Sequence, residues 1–208
     1  MFSDRPLQRL SIHRSSRFGV VGRSLDEQVS AHIAGWELLT IFLAGSVAAL
    51  AVAFVPMPLR VPGHAILKAA LPILFAVAIV PRRGAGSLVG ASAALTAGAL
   101  LMPGMGNLKM AAVASLFAIG PAMDAAISGA KHAGWRLWLR CAMAGLAANT
   151  IAFAVRWGAA WFGLQGLGPH QLKQFSVWAY LSFAVCGLLA GLLSAAVCFS
   201  GSEKEDRT

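Results

Sequence analysis

The chain has 208 residues, of which 58% are hydrophobic and only 12% charged, and it carries a formal net charge of +9. Soluble domains hold about twice that charged fraction, and here the apolar residues run on in blocks near the roughly 20 residues that cross a bilayer, which excludes an ordinary soluble domain. The bases lie in the segments between those blocks, so positive-inside topology accounts for them and nucleic acid is not an expected partner.

In chain order, residues 1–30 contain Arg5, Arg9, Arg14, Arg17 and Arg23 and no long apolar stretch. A cleaved signal peptide is therefore not expected, and the segment reads as a basic cytoplasmic arm. Ser24 and Glu27 have capping-box spacing, so a helix can begin before the membrane and run into the first apolar block. That block, about 33–55, is the first predicted span. Ala44 and Ala48 line up along it, as do Ala49 and Ala53; small residues at four-residue spacing let helix backbones approach closely in lipid.

The second span, about 64–80, starts sharply after Pro62 and Gly63. The run "RVPGHAILKAALPIL" puts His64 and Lys68 four residues apart, on one stripe of a helix. Pro72 clashes with the carbonyl of residue 68 and removes a hydrogen bond there. One kinked turn thus presents an imidazole, an ammonium and a freed carbonyl, a set suited to a ligand pocket, although at that depth Lys68 can equally snorkel outward. After "PRRGAG" comes the third span, about 86–102, striped with Gly86, Gly90, Ala94 and Gly98.

"MPGMGNLKM" supplies Asn107 and Lys109 beside the fourth span, about 107–129. Apart from Glu37 near the start of the first span, Asp124 is the only acid deep within one. If the hairpin turns near His132, Asp124 and Arg140 lie equally far from the turn, so a structural ion pair between them is expected. Asn149 sits in the middle of the fifth span, about 138–155, where it either bonds a neighbouring helix or faces a cavity. The next segment brings Arg156, Trp157, Trp161, His170, Gln171, Lys173, Trp178 and Tyr180. Its aromatics read first as anchors at the bilayer edge. The sixth span, about 177–200, carries Gly187, Gly191 and Ala195, and a short tail, 201–208, closes the chain. Cys141, Cys186 and Cys198 fall inside spans without CxxC spacing and read as small buried residues.

With a cytoplasmic N-terminus, the five arginines of the arm, Arg82, Arg83, Lys131, Arg136, Arg140, Lys204 and Arg207 lie inside. Arg60, Lys68, Lys109, Arg156 and Lys173 lie on or near the outer side. That asymmetry favours an even number of crossings with both termini cytoplasmic. The expected fold is all-α: a polytopic protein with a 31–200 domain of six transmembrane helices, in a bacterial-type inner membrane. Small-residue stripes on three helices make a further partner protein attractive. Every charged side chain on the outer elements is basic, so an anionic or carboxylate-bearing solute is the natural ligand. His64 and Lys68 are the first candidates to hold it, with Arg156, Asn107 and Asn149 behind them.

Catalytic sets are incomplete. "GASAAL" and "GLLAG" are similar to rhomboid intramembrane proteases, which would make Ser92 a nucleophile. The residues ahead of Gly187 are "LSFAVC", with no histidine to serve as its base. HExxH, paired acids and phosphate-cradling glycine loops are also missing. The protein is not expected to be an enzyme, and neither a cofactor nor a metal centre is expected.

The length, the six spans and the alanine spacing of the first helix resemble the substrate-binding S component of energy-coupling factor transporters. The resemblance covers about residues 33–200. It implies that Ala44, Ala48, Ala49 and Ala53 pack against a transmembrane coupling subunit. It also implies capture of a scarce solute such as a vitamin or cofactor precursor from outside, with transport driven by separate ATPases. A self-sufficient small carrier and a non-transport membrane scaffold are the competing readings.

Overall fold

A computed structural model describes residues 35–56, 62–80, 82–105, 108–128, 135–162 and 177–199. The basic arm, the tail, Asn107, His132, His170 and Lys173 lie outside the described residues. Six helices follow one another: α1 (Gly35–Phe54), α2 (Ala65–Ile79), α3 (Ala85–Leu101), α4 (Met110–Ser128), α5 (Trp135–Trp161) and α6 (Val177–Phe199). Each predicted span coincides with one of them. Among the described residues, α1, α4, α5 and α6 are long and apolar enough to cross a membrane, whereas α2 and α3 are apolar but shorter, at 15 and 17 residues. The chain fits a multi-pass membrane protein. The largest departure from the sequence expectation is α5, which continues past 155 through Arg156 to Trp161. Trp157 and Trp161 lie one turn apart there, ring centroids 6.1 Å from each other.

The helices form a ring in the order α1–α3–α4–α5–α6–α2, closing back on α1, and α2 leans inward against α3 and α4. Ile66, Ala70, Ile73 and Leu74 of α2 are fully buried. The outward faces of α1 and α6 expose Leu39, Phe42, Leu43, Leu193 and Val197. In a membrane such a ring is held by close packing and hydrogen bonds, because lipid tails are as apolar as the core.

The small residues serve that close packing. A β-carbon added to Gly45 would lie 2.6 Å from Ser92 Oγ and 2.7 Å from the Val89 carbonyl, so α1 and α3 touch backbone to backbone. Gly86 and Gly90 meet Gly120 between α3 and α4, and Gly187 and Gly191 meet Gly145 and Cys141 between α5 and α6. Ser92, considered above as a nucleophile, is an α1–α3 tie whose hydroxyl donates to the Phe42 carbonyl at 3.2 Å.

The alanines of α1 are part of the same packing. Ala48 and Ala49 are wholly buried and Ala53 nearly so, with Ala44 partly buried against the core. The expectation that they form a partner-binding face is corrected: the chain's own helices already cover them. The cysteines are free thiols buried within α5 and α6.

Polar ties gather at the end of the bundle where α1 begins. Arg82, between α2 and α3, holds the buried Glu37 carboxylate with Nε 3.0 Å from each oxygen. Asp124, near the end of α4, reaches across to the start of α3. It accepts hydrogen bonds from the Gly86 N–H at 2.9 Å and from the Ser87 N–H and hydroxyl, both at 2.7 Å. The expected pair with Arg140 does not form; among the described residues Asp124 is taken up by α3, and Arg140 is exposed. The physical reason is that α3 begins at Gly84, which has φ +84° and no side chain to cap the helix. Its first N–H groups need an acceptor, and the Asp124 carboxylate supplies one favoured by the helix dipole.

Candidate functional site

The opposite end of the ring is open. A cavity of about 630 Å³ lies among the end of α1, the start of α2, the start of α4, the second half of α5 and α6. Ligand pockets fall in the range of about 300–1,000 Å³, so this one accommodates a small organic molecule. Four of the five residues expected to bind a solute line it together: His64, Lys68, Asn149 and Arg156. Asn107, the fifth, lies outside the described residues, directly before Leu108, which does line the cavity.

Two levels can be told apart along α5. Arg156, Ala152 and Asn149 follow at spacings of four and three on one face, and from Arg156 down to Asn149 is about 10 Å of helix. The upper level holds Arg156 and Lys109, both exposed. Asn149 marks the lower level. It is 1% exposed, and its Nδ2 donates to the Phe183 carbonyl at 2.6 Å and to the Gly63 carbonyl at 3.2 Å. Those two acceptors fix which way the amide faces, because a carbonyl cannot receive Oδ1. Phe183 is held in turn by an edge-to-face contact with Phe153, centroids 5.5 Å apart.

The bond to Gly63 explains why α2 is short. Phe183 lies six residues into α6, about 9 Å along that helix, and the turn at 62–64 sits at its level. A β-carbon on Gly63 would lie 2.9 Å from Phe183 Cα, and the φ of +87° is open to glycine without strain. The start of α2 is therefore recessed into the ring. Non-helical backbone at that depth is tolerable where protein or a cavity surrounds it.

Lys68 stands one turn below His64 on α2, and its Nζ donates to the Val55 carbonyl at 2.7 Å. This satisfies a carbonyl left over at the end of α1 and places a cation at the negative end of that helix. The ammonium thus has a structural duty that the sequence did not announce, while its residue remains in the cavity wall.

Among the described residues no acid lines the cavity; its charged walls are Lys68, Lys109 and Arg156, and Val52, Ala53, Ala111, Ala112, Ala152 and Phe183 supply apolar surface. No family model, no curated protein and no solved structure matches the chain. Its chemistry must be read from the cavity itself. Phe183 and Ser115 are among the wall residues that the sequence did not single out. Phe183 belongs to an apolar helix with nothing to set it apart. Ser115 is 3% exposed and lines the cavity, yet its hydroxyl makes no hydrogen bond. Its one sequence signal is spacing: Ala111, Ala112 and Ser115 put small side chains on one face of α4 directly after Lys109.

Proposed function

We propose that this chain is a six-span membrane subunit, both termini cytoplasmic, that captures a small anionic solute at the outer face of an inner membrane. The observation that carries this reading is the cavity of about 630 Å³ with three cationic side chains and, among the described residues, no carboxylate in its walls. With the topology given by the positive-inside count, its mouth faces outward. Exposed Arg156 and Lys109 draw an anion towards the opening, as clustered charge of one sign does. The alanine and glycine walls leave room for an apolar body. The chain carries no nucleotide-binding motif, so movement of the solute takes its energy from a coupling subunit with separate ATPases or from an ion gradient. As the α1 alanines are buried, such a subunit would meet another lipid-facing surface.

A cysteine scan tests this. His64→Cys and Lys68→Cys are expected to react with a membrane-impermeant thiol reagent in intact cells, and Ala48→Cys is expected not to react. Background is low because Cys141, Cys186 and Cys198 are buried. Absence of labelling at both positions 64 and 68 refutes an outward cavity. Native mass spectrometry of the purified protein is expected to show a bound small anion.

A further inference from the structure

Ser115 departs from the pattern of hydroxyls elsewhere in the bundle. Thr40 donates to the Trp36 carbonyl at 2.9 Å, Thr150 to Leu146 at 2.8 Å and Ser182 to Ala179 at 2.8 Å. This is the usual bond of a helical hydroxyl to a carbonyl about one turn back. Ser115 is 3% exposed, and among the described residues its Oγ bonds nothing. Leaving a buried hydroxyl unpaired is unfavourable. The residue also lines the cavity, on the α4 face that carries Leu108, Ala111 and Ala112, and of these it lies farthest from the start of the helix.

Water is a poor occupant there. A buried water needs about 2–4 polar partners, and the side chains of Leu108, Ala111 and Ala112 on that face offer none. The cation on the same helix, Lys109, stands six residues back, about 9 Å along the axis. Along α4, therefore, the wall places a positive charge near the opening, an apolar stretch after it, and an unpaired neutral hydroxyl beyond. A serine hydroxyl both donates and accepts, so what it requires is a polar group, not one of a particular charge.

We infer that Ser115 sets the specificity of the cavity: the solute bears a carboxylate at one end and, across an apolar body, a neutral hydroxyl, carbonyl or amide that pairs with Ser115. Lys109 and Arg156 serve the charged end, and Ala111, Ala112 and Ala152 border the body. A site built to hydrogen-bond a polar group rejects the analogue that lacks it, because its own polar group is then left unpaired. The charged end of this solute rests on the capture reading; the contact with Ser115 is tested apart from it.

The test compares wild type with Ser115→Ala, each as the full chain in detergent micelles. The probes are para-hydroxyphenylbutyrate, phenylbutyrate, which lacks only the hydroxyl, and para-hydroxyphenylbutanol, which lacks the charge. Affinity is read from the saturable rise of Tm with probe concentration. Wild type is expected to bind the hydroxy acid about three- to tenfold more tightly than phenylbutyrate, the gain from one hydrogen bond. Ser115→Ala is expected to bind the two acids alike, with a Tm in the absence of probe equal to wild type or higher. A serine with a structural role alone would give the reverse, a lower Tm and an unchanged preference. Equal affinity for the two acids in wild type, or a preference that survives in Ser115→Ala, overturns the role of Ser115 and leaves the capture of an anion standing. If the alcohol binds as tightly as the hydroxy acid and weakens in Ser115→Ala, the contact with Ser115 stands and the anion reading falls. No saturable shift with any of the probes overturns both.

Discussion

Replacing Asn149 by alanine tests whether the buried amide holds the recessed turn. The substitution removes two donors at once. The Phe183 carbonyl keeps the helical bond from the N–H four residues on, so losing its 2.6 Å bond from Nδ2 costs about 0.5–1 kcal/mol, the range found for interhelical hydrogen bonds in membrane proteins. The Gly63 carbonyl, bonded to Nδ2 at 3.2 Å, has no other partner among the described residues. Orphaning it costs about 1–3 kcal/mol. With the void left by the amide group, Asn149→Ala should lose about 2–4 kcal/mol, measured by reversible unfolding in mixed micelles titrated with dodecyl sulfate. Asn149→Asp should be worse than alanine, since an ionised carboxylate would face two carbonyl oxygens. A loss below about 0.5 kcal/mol for Asn149→Ala, or an aspartate variant as stable as wild type, would refute this account of how the cavity floor is held.

Three further outcomes can be checked by the same unfolding assay. Gly45→Ala should be destabilising by more than about 1 kcal/mol because its β-carbon meets Ser92 and Val89 at under 3 Å; Gly98→Ala, with nothing within 4 Å, should stabilise by about 0.5–1 kcal/mol through helix propensity. Asp124→Asn should cost about 1–3 kcal/mol, since an amide cannot accept from three donors at the start of α3, whereas Arg140→Gln should change stability by less than about 0.5 kcal/mol. Arg82→Met should destabilise more than the double variant Glu37→Gln/Arg82→Met, because only the single change strands a buried carboxylate; a double variant at least as unstable would refute a direct pairing.

How much of this was legible in the sequence depends on range. Helix positions were, because apolar blocks of bilayer length leave little choice of secondary structure. The pocket residues His64, Lys68, Asn149 and Arg156 were legible as well, because polar groups inside apolar runs are unfavourable unless they have a purpose. Partner choice was not. Asp124 was assigned to Arg140 across the hairpin, but it binds α3, whose start at Gly84 lacks a capping side chain. That unmet end was visible in "PRRGAGS", and a lone buried acid elsewhere was its natural complement. The alanines of α1 failed for another reason: four-residue spacing shows that a helix packs closely, not against what. Ser115 gave only its spacing after Ala111 and Ala112, a weak signal because most serines in apolar helices bond their own backbone.

Charge is distributed unequally between the two ends of the ring. The two acids among the described residues, Glu37 and Asp124, sit together where α1 begins and α4 ends, each satisfied by the neighbouring segment. The cavity end holds Lys68, Lys109 and Arg156, and among the described residues no carboxylate meets them. Stability alone would not favour this. Apolar residues in the cavity wall would fill the void and bring no uncompensated charge to it. Ser115 lines the cavity from α4 with no hydrogen-bond partner among the described residues, and Asn149 fixes the Gly63 turn in the same wall. Polar groups fixed in advance require little reorganisation when a ligand arrives, which fits the capture role proposed above. The cations that no described carboxylate meets make the cavity end poor as a core, and they are the feature on which the proposed capture of an anion rests.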